Sequence, residues 1–98
     1  MATTKSFFEY IADSFSFLPE VSFRPMMGEY ILYYKGKVIG GIYDDRLLVK
    51  PTPSAKRFLP CASLEIPYSG AKGMLLVEEI ENRDLIASLF AAIATEVR

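Results

Sequence analysis

A two-layer α+β domain is predicted from the sequence: an antiparallel sheet of about five strands, with a meander at its centre, flanked by N- and C-terminal helices. Three observations predict it. Apolar residues recur at helical spacing near each end of the chain, the middle alternates apolar residues between turn signals, and a 51% hydrophobic content in 98 residues suits one core. A single domain over residues 1–98 is the expected organisation.

Thr3 or Thr4 is placed to cap a first helix running to about Phe15, with Phe7 or Phe8, Ile11 and Phe15 on one face. Pro19 and Glu20 end that pattern, and "VSFRPMM" follows as a strand that Pro25, lacking an N–H, confines to an edge or a bulge. "EYILYYKGKVIGGIYDDRLLVKP" reads as three antiparallel strands, about 29–35, 38–43 and 46–50, reversed at "KGK" and at "DDR". "KPTPSAKRFLP" then carries a short helix over 54–59 capped by Ser54, and "CASLEIPYSGAKG" is irregular. "MLLVEEI" is the last strand, over 74–80. Asn82 caps a closing helix through Glu96, with Leu85, Ile86, Leu89, Phe90, Ile93 and Val97 along one stripe.

The meander sets a problem of cover. With Gly36–Lys37 as a two-residue loop, alternation places Tyr30, Leu32, Tyr34, Ile39 and Tyr43 on one face and Ile31, Tyr33, Val38 and Ile42 on the other. Both faces are apolar. The long helices cover one and the 54–59 segment covers part of the other, leaving an aromatic remainder open, and exposed patches of this kind mark interaction sites. A protein partner, or a second copy in a homodimer, is expected on the face bearing Tyr30, Tyr34 and Tyr43.

Catalytic chemistry finds little to work with. The chain has no histidine, which removes Ser-His-Asp and Cys-His arrangements and imidazole metal sites, so no enzyme activity and no cofactor is expected. Asp44 and Asp45 read as a turn rather than as oxygen ligands, and Glu78, Glu79 and Glu81 as a solvated edge. "GAKG" is too short for a P-loop, although Lys72 is placed to meet an anion. Gly40 and Gly41, in mid-strand, make room for a neighbouring ring from Tyr30, Tyr33 or Tyr34, or for backbone. Arg24 reads as an ion-pair partner of Glu29, Asp44 or Asp45, with anion binding as the alternative. Met26 and Met27 read as core fillers, with an adaptable contact surface as the alternative.

Charge and cysteine content narrow the partners further. Eleven lysines and arginines face twelve acids, so nucleic-acid binding has no bulk charge behind it and would need Arg24, Lys35, Lys37, Lys50, Lys56, Arg57 and Lys72 as a local basic surface. A small-ligand pocket built from Arg24, Asp45 and Lys50 ranks last. Cys61 stands alone, excluding an intramolecular disulfide, and reads as a small buried hydrophobe. With no leader pattern and no apolar run near the ~20 residues of a membrane span, a cytoplasmic protein that does not enter membranes is expected.

The stretch "VSFRPMMGEYILYYKGKVIGGIYDDRLLVKPTPSA" resembles the N-terminal domain of the TfoX/Sxy family. That pattern joins an arginine, a methionine-phenylalanine-glycine step, a hairpin like "LYYKGK" and a strand ending in "L-x-K". The match falls on Arg24, Met26, Met27, Gly28, Tyr33, Gly36, Lys37, Asp45, Leu47 and Lys50, and continues through "PYSGAKGMLLVEE". Met27 stands where the family commonly has phenylalanine, and Glu29-Tyr30 replaces its glycine-rich continuation, which points to a stand-alone subfamily without the C-terminal helical domain of longer members. The resemblance implies a two-layer α+β fold and a tie to competence regulation, where longer members act as transcriptional coactivators alongside the cyclic-AMP receptor protein. It supplies no catalytic residues. The expected role is a small regulatory domain acting through protein contacts in transcription, with Arg24, Met27, Gly28, Tyr30, Tyr34, Tyr43, Asp45, Lys50 and Lys72 as candidate interaction or anion-binding residues. Direct nucleic-acid binding and small-ligand binding are the alternatives.

Overall fold

Three two-residue turns fold the middle of the chain back on itself. In the computed structural model, which describes residues 2–97, β1 (Val21–Met26), β2 (Glu29–Tyr34), β3 (Lys37–Ile42) and β4 (Leu47–Val49) run antiparallel in sequence order. Met27–Gly28, Lys35–Gly36 and Asp44–Asp45 connect them, and all six of these residues have positive φ, between 50° and 85°. That is the type I′ geometry whose twist matches the flanking strands. The middle turn is therefore Lys35–Gly36, one residue earlier than the Gly36–Lys37 loop expected from the sequence, because Tyr34 pairs with Lys37.

A bulge then changes which side chains share a face. Tyr33 pairs with Val38 but Leu32 pairs with Gly40, so β3 carries one extra residue at Val38–Ile39. Downstream parity is reversed relative to the slipped turn. Ile42 pairs with Tyr30 and joins Leu32, Tyr34 and Ile39 in the main core, while Tyr43 is absent from that cluster. The expected grouping of Tyr43 with Tyr30 and Tyr34 is thus corrected. The energetic balance favours the bulge: a lost ladder hydrogen bond costs about 1 kcal/mol, whereas burying an isoleucine side chain stabilises by roughly 1.5–3 kcal/mol.

Two further strands complete the sheet. β5 (Leu64–Glu65) lies within the segment expected to be irregular, and β6 (Met74–Leu76) is shorter than the 74–80 expected, since Val77 makes its last ladder bond to Leu47 and the chain turns away. The order is β1-β2-β3-β4-β6-β5, an open antiparallel sheet of six strands rather than about five.

Helices α1 (Lys5–Ser14), α2 (Pro53–Phe58) and α3 (Arg83–Glu96) all contribute to one core with the sheet. The Thr4 hydroxyl caps α1 by accepting from Phe7 N–H at 3.2 Å, and Asn82 caps α3 through Leu85 N–H at 3.2 Å. Phe8 stacks on Tyr30 at 3.9 Å and meets Phe23 edge-on at 5.3 Å; Phe90 receives Phe15 edge-on at 5.1 Å and packs against Tyr34 at 6.3 Å. Lys37 reaches the last turn of α3, donating to the Ala94 carbonyl at 3.1 Å, where a cation suits the helix dipole.

α2 departs from expectation in two ways. Its cap is Thr52, which accepts from Ala55 N–H at 3.2 Å, because Pro53 takes the first helical position and leaves Ser54 inside the first turn. It also packs against α3 on the core side, through Ala55 and Leu59, so it does not shield the opposite face of the sheet. Ser54 is buried and gives both its N–H (3.0 Å) and its hydroxyl (2.6 Å) to the Glu96 carboxylate at the end of α3. Cys61, expected to be buried, is exposed.

Two predictions test this framework. A Cβ on Gly40 would come within 2.2 Å of the Leu48 carbonyl oxygen, a backbone atom with little freedom to move, so Gly40→Ala is expected to destabilise by about 3 kcal/mol or more in urea unfolding. Hydrogen bonding from Ser54, with a further contribution from Thr52, holds the Glu96 carboxyl below its ordinary value of 4.5. The unfolded chain therefore takes up this proton first, and the associated stability is present above the ordinary value and lost as pH falls through the folded one. The urea midpoint should drop as pH is lowered from about 6 to about 3, and Glu96→Gln should make that drop shallower.

Candidate functional site

The face of the sheet away from the helices is where the fold leaves side chains uncommitted. Ile31, Gly41 and Leu48 are register partners across β2, β3 and β4, and Leu48 is fully buried although it lies outside the main core. The chain's own segment between β5 and β6 shares a hollow with Gly40 and Tyr43; in it Pro67 is buried and Tyr68 packs on Tyr43 with ring centroids 6.0 Å apart. Tyr43 lies across Gly41, whose missing Cβ would come within 2.6 Å of the Tyr43 ring and of the Tyr30 carbonyl. The mid-strand glycine admits a ring, as expected, but the ring is that of Tyr43. Burial pushes the Tyr43 hydroxyl above the ordinary tyrosine range, and Tyr68 and Glu29 add to the effect.

Arg46 holds this segment in place. Its guanidinium pairs with Glu65 at 3.0 Å and donates to the Ile66 carbonyl at 3.4 Å, while its Nε donates to the Tyr43 carbonyl at 3.2 Å. Ser63 donates to the other Glu65 oxygen at 2.6 Å, and Ser63 and then Arg46 hold the Glu65 carboxyl below its ordinary range. One half-buried arginine thus ties the β3–β4 turn to β5 and to the loop that follows.

At the same end of the sheet, the N-terminal residues bridge two turns. Glu29 Oε1 accepts from Thr3 N–H (2.9 Å), the Thr3 hydroxyl (2.6 Å) and Asp44 N–H (3.1 Å). Asp45 accepts from Thr4 N–H at 2.7 Å, and Thr3 N–H also donates to the Gly28 carbonyl at 3.1 Å. Ala2 lies against Gly28, with 3.0 Å between its Cβ and one built on the glycine. These bonds hold Asp44 and Asp45 in a left-handed conformation that non-glycine residues seldom adopt.

Two open hollows border the Tyr43–Tyr68 pair. One, of about 580 Å³, is lined by Ala2, Met26, Met27 and Glu29 with the two tyrosines; Met27 is 97% exposed and Tyr68 57% exposed. The other, of about 360 Å³, brings Lys50 and Lys72 together over Val38, Pro51, Pro67 and Met74.

The sequence-derived candidates separate accordingly. Met27, Tyr43, Lys50 and Lys72 border the hollows, while Gly28 and Asp45 anchor the N-terminal bridge. Tyr30 and Tyr34 lie in the core under α1 and α3, so the tyrosine-bearing docking face expected from them is covered. Arg24 is exposed on β1 with its guanidinium 5.7 Å from the Tyr33 ring centroid. Among the described residues it forms no ion pair with Glu29, Asp44 or Asp45, whose carboxylates or N–H groups serve the bridge instead. Sequence reasoning missed Arg46 and Tyr68, and it read Glu29 only as an ion-pair partner for Arg24. Only the arginine following two turn aspartates offered a signal. Among the described residues no cluster of three or more acids, cysteines or histidines could hold a metal ion, and no helix is long and apolar enough to cross a membrane.

The family model for the TfoX N-terminal domain matches residues 13–87. The chain belongs to the TfoX N-terminal domain family. A relative in Spirochaeta aurantia, an uncharacterized 12.7 kDa protein in the trpE 5′ region, is 34% identical over 80 residues, spanning 82% of this chain and 70% of its own length. No solved structure matches the chain. In this TfoX-like domain the matched region contains the whole sheet, including Arg46, the Tyr43–Tyr68 pair and both lysines. Thr3 and Thr4, which close the turn network, lie before the matched region.

Removing the Glu29 carboxylate leaves the Thr3 hydroxyl and the Asp44 N–H to find other acceptors, while the Thr3 N–H keeps the Gly28 carbonyl. Glu29→Ala should destabilise the domain by about 1–3 kcal/mol in chemical denaturation, with Thr4→Ala costing about 1 kcal/mol through its cap.

Proposed function

We propose that this TfoX-like domain is a regulatory module that acts in transcription by holding a protein partner on the sheet face away from its helices, at the Met27–Tyr68 hollow. The observation that carries the reading is the exposure of a nearly naked methionine beside a half-exposed tyrosine at one hollow, the methionine burying almost nothing against its own chain. Methionine adapts to varied partner shapes, and tyrosine is enriched at the centres of protein interfaces. Family membership supports the regulatory part of the reading. The near-balanced charge favours a protein partner over bare phosphate backbone. Lys37 is committed to the Ala94 carbonyl and Arg57 to the Ser54 hydroxyl, which removes two of the seven basic residues that a nucleic-acid surface would need.

The test compares transcripts from a strain lacking the gene with those from strains carrying the wild-type chain or Met27→Glu/Tyr68→Glu. The double variant is expected to reproduce the transcript changes of the deletion while its protein level and circular dichroism match wild type. A wild-type transcript profile in the double variant, or a deletion that changes no transcript, overturns the reading. Sedimentation equilibrium of the purified chain separates a second copy from a different protein as the occupant.

A further inference from the structure

We infer that the hollow between the β3–β4 hairpin and the segment before β6 is a binding site for a small organic carboxylate with a flat apolar body. Lys50 directly follows β4 and Lys72 precedes β6 by two residues, and β4 and β6 are neighbours in the sheet. The fold therefore brings two cations from distant points in the sequence to one hollow. No acidic residue lines it, and among the described residues neither lysine forms an ion pair or a side-chain hydrogen bond. With two cations and no acid among its walls, the hollow favours an anion over a neutral or cationic guest.

The remaining walls define the rest of the ligand. Val38, Pro51, Pro67 and Met74 present apolar surface, and Tyr43 and Tyr68 supply ring edges and faces. A volume of about 360 Å³ is at the small end of ligand sites, which suits a single-ring acid rather than a nucleotide or a long acyl chain. A bare inorganic anion would leave the apolar walls unused. Lys50 is held in position because its N–H donates to the Ile39 carbonyl at 2.9 Å, continuing the β3–β4 ladder beyond the bulge.

The experiment is an amide chemical-shift titration of the labelled full chain with phenylacetate, its neutral isostere phenylacetamide, and inorganic phosphate. Phenylacetate should shift the amides of Gly40, Lys50, Lys72 and Gly73 saturably, with Kd at or below about 1 mM. Phenylacetamide should bind about tenfold more weakly or worse, a loss of ~1.4 kcal/mol. Lys50→Met/Lys72→Met should lose the phenylacetate response, whereas Met27→Glu, at a residue that lines only the other hollow, should keep it, so this site and the partner surface stand or fall separately. Absence of saturation, equal binding of the neutral isostere, phosphate binding as tightly as phenylacetate, or an unchanged response in the folded double-lysine variant each overturns the assignment. Should that variant fail to fold, the comparison of acid with amide on the wild-type chain still decides it.

Discussion

One extra residue in β3 governs the rest of the structure. Side chains in a strand alternate with period two, so a single insertion exchanges the faces of everything beyond it. At Val38–Ile39 the exchange sends Ile42 under the helices and releases Tyr43 from the main core. The type I′ turn at Asp44–Asp45 then returns the chain so that Leu47 and Val49 join the core while Leu48 faces away. Without the bulge, an isoleucine would leave the core and a tyrosine would have to enter it.

The consequence is a sheet with two unlike faces. Three helices and one continuous apolar cluster close the first. The second is roofed only in part, by a short segment held through Arg46 and Glu65 and by the contact of Tyr68 with Tyr43. An ion pair this close to solvent contributes little to stability by itself. Its role is positional: the guanidinium reaches three groups on the turn and the covering segment, which fixes where the two hollows open. Both hollows of this TfoX-like domain thereby open beside the strand ladder, with Met27 at a turn tip on one side and Lys50 and Lys72 on the other.

The N-terminal bridge shows the same economy of means. Glu29 and Asp45 look in sequence like candidates for an ion pair with Arg24, yet both spend their carboxylates on backbone and hydroxyl donors from Thr3 and Thr4. Carboxylates that accept several N–H and O–H groups stabilise turns whose residues lie in left-handed conformations. Arg24 is left to the face of Tyr33.

The sequence by itself determined the order of the elements apart from β5, both long helices with their caps, the turn aspartates and the family, because periodicity, capping chemistry and turn residues are local signals. Apolar content on both sides of the meander was also legible, and with it the question of what covers the second side. Only the tertiary structure decided the answer, since the mid-strand glycines signal a bulge or a close approach without saying which, and Val38 and Ile39 both suit a strand. The slip of one residue at Lys35–Gly36 shifts cross-strand partners by two and keeps the faces, so the bulge alone moved Tyr43 away from the face of Tyr30 and Tyr34. The meeting of Lys50 with Lys72 and of Arg46 with Glu65 depends on strand neighbours distant along the chain, and such contacts exist only once the sheet has closed its order.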